Sequence, residues 1–332
     1  MPLPVNKESD LLFLPLKQLL RARQWKKRVN PIYLHSCKFF GATLIDRTET
    51  LATGLSFHIL DPLQPNLCST SSLGFDELCL QRAVSIIETF PQRTLRVLWS
   101  GGIDSTVALV SLLRCLAKKD ELSRLKVLLS AESVAEFSSF FHQVIQDKIE
   151  YRWINTTLYD AIDPDEVNIT GEHGDQLFGS DKLKYAILTQ EAFRPYDTVL
   201  PYLISRKLGT DRYTQAILKY MTPQWQQAPI KIKTLYDVMW WINFSMKWQT
   251  VTMRLAHALQ DKPMTLGENL VHFFRSRKFE QWSITHHEHK IINTWQTYKY
   301  VAKEFIYRYH PDEHYRRQKE KEQSLKAVMV RH

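Results

Sequence analysis

Glycine is scarce, at 10 residues in 332. A chain so sparing places glycine where the backbone needs a positive φ or another group must approach closely. Cysteine is scarcer still: Cys37, Cys68, Cys79 and Cys115 form no C-x-x-C pair and no spacing typical of a zinc site. That excludes a disulfide scaffold and a patterned zinc module. Cys79 and Cys115 stand in apolar, helix-like contexts and read as small core residues. No secretory signal opens the sequence, so reduced thiols in a cytosol are the expectation. Long apolar runs are missing too. The run Leu11–Leu20 is interrupted by Pro15 and Lys17 and is too short to span a bilayer. These absences together predict a cytoplasmic protein without a membrane partner.

What remains has the proportions of an ordinary globular chain, with 44% apolar and 24% charged residues. The length predicts two lobes. A net charge of +9 suits anionic partners such as nucleotides, nucleic acid or a membrane surface, without choosing among them. Residues 1–73 combine a basic segment, 17–28, with strand-like pieces at 39–45 and 51–60. The basic segment has the charge to touch nucleic acid or lipid, but it lacks the interleaved aromatics of a single-strand binder and reads as a solvated helix. A helix is predicted over 75–90 from the spacing of Leu78, Arg82, Ile86 and Phe90, ended by Pro91.

A strand–helix alternation follows. Strands are predicted at 95–99, 125–130, 151–154 and 166–170, with helices at 105–117 and 132–147. This alternation implies an α/β fold: a parallel sheet flanked by helices, followed by a largely helical C-terminal half. The aromatic stripe Trp240, Trp241, Phe244 and Trp248 reads as packing. Adjacent His286, His287 and His289 cannot all face one ion and read as surface residues.

Five of the ten glycines lie in two segments, Ser100-Gly-Gly-Ile-Asp-Ser-Thr106 and Thr170-Gly-Glu-His-Gly-Asp-Gln-Leu-Phe-Gly179. The first follows a predicted strand and opens a predicted helix, where backbone N–H groups and the helix dipole favour phosphate. Ser100, Ser105 and Thr106 add hydroxyls. Asp104 would repel a bare phosphate, but fits if a divalent cation bridges the two. A glycine-containing turn capped by Ser105 is the plainer alternative. The second segment carries Glu172 and Asp175 at the end of another strand, and Asp175 is placed to join Asp104 on one cation. Read alone, it is also a polar turn.

At these residues the chain resembles a known family. Ser100–Ser105 is similar to the S-G-G-x-D-S loop of the N-type ATP pyrophosphatases. The second segment resembles the G-E-G-x-D-E-x-F-G-G loop of the asparagine and β-lactam synthetases. A third stretch, Tyr298-Lys-Tyr-Val-Ala-Lys-Glu304 with Pro311 and Arg316-Arg-Gln-Lys-Glu320, is similar to the pattern that closes the synthetase domain. The resemblance runs in order over 74–322, and implies an adenine nucleotide α-hydrolase-like (PP-loop) core between a small N-terminal region, 1–73, and a charged tail, 323–332.

It also implies an ATP-dependent, AMP-forming carbon–nitrogen ligase. A substrate carboxylate would be adenylated with release of pyrophosphate, and an amine or ammonia would then displace AMP. The nucleotide contacts so implied are Leu98, Ser100, Gly101, Gly102, Asp104, Ser105, Ser130, Thr170 and Gly171. Asp104 and Asp175 would hold Mg2+, Glu172 would assist deprotonation of the nitrogen, and Lys319 would stabilise developing charge.

Pro2 stands where the family's glutaminases carry a catalytic cysteine, and the stretch before Ser100 is short for that domain. No glutaminase is therefore expected, and the nitrogen would come from solution or from a donor or carrier partner. His173 and Gln176 depart from the second loop's pattern. Ser245-Met246 and His272-Phe-Phe-Arg275 only faintly echo the family's acid-pocket stretch, which puts aspartate as substrate in doubt. Two other readings stay open. One is a nucleobase- or tRNA-modifying adenylating enzyme, which fits the positive charge. The other is a non-catalytic nucleotide-binding protein.

Overall fold

In the computed structural model of the protein, the apolar runs Leu95–Leu98 (β1) and Leu125–Leu129 (β2) lie side by side as parallel strands. The structure describes residues 11–21, 28–63, 73–154, 158–179, 183–259 and 264–318. All four residues of β1 are buried, as expected of a strand covered on both faces. Glu150–Trp153 (β3), Val167–Thr170 (β4) and Leu270–His272 (β5) complete a five-stranded sheet in the order β3-β2-β1-β4-β5. Every pairing is parallel. The expected α/β architecture is thus present.

The strand order decides where a ligand can bind. From β1 the chain moves outward to β2 and β3, then returns to place β4 on the other side of β1. The loops leaving the carboxyl ends of β1 and β4 therefore diverge at a topological switch point, the crevice in which open parallel sheets bind ligands. Helices Phe75–Thr89 and Ile103–Ala117 pack against each other, and Tyr300–Tyr309 packs on both. Leu98, Leu128, Ile154, Ile162, Leu255, Leu259 and Leu270 form one apolar cluster.

Contacts divide the chain into two units. The sheet belongs to the unit of residues 66–190 and 255–332. Residues 191–254, which the sequence reading puts in the long second segment, cluster instead with 1–65. In this other unit Trp240, Trp241, Phe244 and Trp248 are all buried, as expected of packing residues. The Arg47 guanidinium stacks on Trp248, 4.5 Å from the ring centroid.

The strand-like readings of 39–45 and 51–60 are corrected. Pro31–Phe40 is a helix closed by Gly41 at φ +70°, and the rest is irregular, with one isolated bridge between Leu11 and Phe57. The backbone there finds partners other than a sheet. Asp46 accepts from the amides of Thr48, Thr50 and Leu51 at 2.8–2.9 Å, and from Gln224 Nε2 at 2.7 Å. The predicted helix 132–147 is broken at Phe137 into Ala131–Glu136, Ser138–Phe140 and one π turn, Phe141–Ile145. β5 has three residues and no sequence signal of its own. Cys37, Cys79 and Cys115 are buried free thiols; burial pushes Cys37 up to about 12 and raises the other two, so none is a nucleophile. Cys68 and residues 22–27 lie outside the described residues. No helix among the described residues is long and apolar enough to cross a membrane.

Asp46→Ala strands three amides inside this unit. It should lower the unfolding free energy by roughly 2–4 kcal/mol in a urea titration, with Asp46→Asn falling between it and wild type.

Candidate functional site

Asp104 begins the helix Ile103–Ala117 after β1, and Asp175 begins the short helix Gly174–Phe178 after β4. The adjacency of β1 and β4 brings the two carboxylates together around a third group. Lys299 Nζ donates to Asp104 Oδ1 and Oδ2 at 2.8 and 2.6 Å and to Asp175 Oδ1 at 2.7 Å. Lys299 is buried. Burial alone would depress its pKa, but the two carboxylates outweigh this and hold it above the ordinary lysine range. Lys299 lies within the third stretch, where the sequence assigns it no role.

The two glycine-bearing loops fit into each other. A Cβ on Gly171 would lie 2.5 Å from the Ser105 amide nitrogen, and one on Gly174 would lie 2.2 Å from Asp104 Cγ. Both glycines therefore make room for the first loop rather than for a turn of their own. Gly101 has φ +73°, and a Cβ there would strike the Ser133 carbonyl oxygen at 2.3 Å.

Two hydroxyls brace the first loop from inside. Ser100 N–H donates to Ser105 Oγ at 3.1 Å, the two hydroxyls are 3.0 Å apart, and Gly102 N–H donates to Ser100 Oγ. Gly102 stands at the N-cap of Ile103–Ala117 with no side chain to cap it, so the first-turn amides suit an external anion. Glu136 borders these amides. Its Oε1 lies 3.3 Å from where a Gly102 Cβ would stand.

The other expected contacts are spread around this centre. Ser130 follows β2 and caps Ala131–Glu136 in a capping box with Ser133. Thr170 Oγ1 accepts from the Glu172 amide at 3.2 Å and lies 2.7 Å from His272 Nδ1. The Leu98 side chain belongs to the apolar cluster, so only its backbone is left for a ligand. His173 takes φ +76° at the N-cap of Gly174–Phe178 and is buried, its ring edge-on to His272 at 5.3 Å. Lys319 lies outside the described residues, as does the tail 323–332.

The chain leading to Lys319 does fold back to the first loop. Tyr315, on the helix Glu313–Gln318, donates its hydroxyl to the Gly101 carbonyl at 2.9 Å and stacks on Phe137 at 3.5 Å. Burial raises the Tyr315 pKa, so it stays a donor. Ser139 donates to Asp312 and lies 3.1 Å from His310 Nε2. This Ser/His/Asp cluster is not a hydrolytic triad. Burial opposes ionisation of Asp312, but the Ser139 hydroxyl, the amide of Tyr315 and His310 outweigh it and keep the carboxyl acidic. The serine proton therefore faces the carboxylate, and the imidazole must donate rather than accept.

Asp104 and Asp175 supply hard oxygen ligands converging on one cationic atom, which fits Mg2+. Among the described residues no group of three or more His, Cys, Asp or Glu side chains is placed to hold a metal. Mg2+ commonly takes one or two carboxylates and completes its shell with water and substrate phosphates, so two are enough. Removing the lysine tests this fit without any substrate. Lys299→Met should lose about 3 kcal/mol of stability in metal-free buffer, recovering part of it as Mg2+ or Mn2+ is added. Wild type should respond little to either ion, and Gly174→Ala should abolish the recovery in the double variant by displacing Asp104.

In comparison with known proteins, no family model matches the chain and no curated protein matches its sequence.

Proposed function

We propose that the sheet-bearing unit is an ATP-dependent, AMP-forming carbon–nitrogen ligase of the asparagine synthetase type. One observation carries this reading: two carboxylates from separate strand ends meet on Lys299 beside a serine-braced, glycine-bearing helix N-terminus. The β- and γ-phosphates would lie against the Ser100–Ser105 loop. Lys299 would turn from the carboxylates toward the incoming phosphates, leaving Asp104 and Asp175 to hold Mg2+. Bound there, the ion would neutralise charge on the departing pyrophosphate.

A substrate carboxylate oxygen would then attack the α-phosphorus as the α–β bridging P–O bond breaks. Nitrogen attack on the resulting acyl-adenylate forms the amide bond and expels AMP, with Glu172 taking the nitrogen's proton. The protein's share is chiefly positioning and fixed charge. A nitrogen donor or carrier protein is a further proposed partner, and a cytoplasmic location suits the buried reduced thiols.

Nucleotide binding without turnover is the second reading. It is favoured by Lys299 standing between the carboxylates and by Gln176 in place of an acid. Incubation with ATP, Mg2+ and a panel of carboxylic acids, with and without ammonia, separates the two. The ligase reading expects AMP and pyrophosphate in equal amounts; ADP and phosphate alone would sink it. ATP binding with no pyrophosphate exchange would select the second reading. Within the first, Lys319→Ala should cut kcat by about 10²–10³ while ATP affinity holds, since a cation there acts on charge that develops in the reaction. Lys321→Ala should match wild type.

A further inference from the structure

The positive charge is not shared between the two units. Residues 1–65 and 191–254 hold 18 Lys and Arg against 9 Asp and Glu, whereas 66–190 and 255–332 hold 26 of each. The sheet-bearing unit is neutral by composition, and the whole excess of +9 belongs to the other. A nucleotide site does not account for it.

Four of these cations meet at one corner. Three helices of this unit pack together there: Pro31–Phe40, Tyr196–Leu208 and Thr214–Gln227. Lys38 lies in the last turn of the first, Arg206 and Lys207 in the last turn of the second, and Arg212 in the connection to the third. All four side chains are exposed. The ring contacts tie them to one place. Lys207 Nζ lies 5.7 Å from the Phe39 ring, and Arg212 lies 5.5 Å from Tyr213, which stacks on His35 at 3.6 Å. Burial lowers the His35 pKa, and Lys38 and Arg212 lower it further, so the local potential is positive. Among the described residues Lys38, Arg206 and Arg212 form no ion pair.

Last-turn cations often serve only to offset helix dipoles. Here the two helix ends contribute about half a negative charge each and the exposed Asp211 one more, against four full positive charges. The surplus rests on Lys38, Arg206 and Arg212, which no carboxylate among the described residues pairs. A flat aromatic surface accompanies it: Tyr202 is 57% exposed, and the Arg206 guanidinium lies 5.4 Å from its ring. Spaced cations beside an exposed aromatic ring suit a phosphodiester backbone with unpaired bases. An anionic membrane would also want aliphatic side chains to bury. Among the described residues of this unit, Leu12 and Tyr202 are the large apolar side chains that stand exposed.

We propose that this corner binds a single-stranded polynucleotide, with phosphates on Lys38, Arg206, Lys207 and Arg212 and a base stacked on Tyr202. The proposal stands on this unit alone and does not depend on the ligase reading.

Fluorescence anisotropy with the full chain and a labelled uridine oligomer of roughly 20 nucleotides, across a salt series, tests it. Replacing Lys38, Arg206, Lys207 and Arg212 together with Gln should weaken binding more than tenfold and reduce the slope of log affinity against log salt by about 3. Arg206→Lys with Arg212→Lys keeps the charge and should keep the slope. Tyr202→Ala should weaken binding about tenfold at an unchanged slope. The matching deoxyoligomer binding equally would support backbone recognition, and tighter RNA binding would add a contact to the 2′-hydroxyl. A wild-type slope in the fourfold Gln variant would overturn the proposal. So would binding to phosphatidylserine vesicles without binding to the oligomer. Pyrophosphate release by the same fourfold variant reports on the ligase reading separately, because none of the four residues belongs to that site.

Discussion

A single buried ammonium group, Lys299 Nζ, sets the arrangement on which the sheet-bearing unit depends. Two carboxylates lie within 3 Å of it, and like charges that close repel strongly unless a cation stands between them. The cation reaches them from 195 positions beyond Asp104 and 124 beyond Asp175. The ion group thus joins the carboxyl ends of β1 and β4 to the start of the helix Tyr300–Tyr309. The glycines follow from the same constraint. Gly174 lacks a Cβ because Asp104 occupies that space, and Gly171 lacks one because the Ser105 amide does. Each loop leaves a void in the other's shape, so neither is formed independently.

The C-terminal segment is fastened to this centre by more than Lys299. Arg316 pairs with Glu304, closing the third stretch on itself, and Tyr315 reaches the Gly101 carbonyl. The His310–Ser139–Asp312 chain orients Asp312, whose other oxygen accepts the Tyr315 amide. Every link here has a defined donor and acceptor, which holds one geometry better than packing alone. Phe137, at the break between Ala131–Glu136 and Ser138–Phe140, adds the ring stack on Tyr315 to these links.

These facts mark how far the sequence could be read. β1, β2 and β4 were legible because strands buried on both faces are short, nearly continuous apolar runs bounded by turns. The two loops were legible because glycine is rare elsewhere and each loop follows such a run. Lys299 carried no local signal; a lysine at a helix start looks like any solvated one until the partner carboxylates are in view. β5 was too short to show a period. Residues 39–45 and 51–60 misled for the opposite reason. Their composition suits strands, but Asp46 and the carbonyls of Ser245 and Met246 take the amides that a ladder would need. The charge division was equally hidden. It depends on residues 191–254 joining 1–65, and no linear segment displays it.

Two residues at the centre hold a backbone conformation that their side chains disfavour. His173 has φ +76° and Lys299 has φ +58°, each at the N-cap of a helix whose first turn no side chain caps. Glycine would adopt this left-handed region without the cost of roughly 1–2 kcal/mol that a side chain incurs. At Lys299 the reason is plain, since glycine would leave Asp104 and Asp175 uncompensated. At His173 the ring is buried against His272, which in turn contacts Thr170 at the end of β4. Strain of this kind persists only where the surroundings over-determine it, and both residues are buried. Compensation of Asp104 and Asp175 thus outweighs the backbone preference at Lys299, and packing against His272 does so at His173.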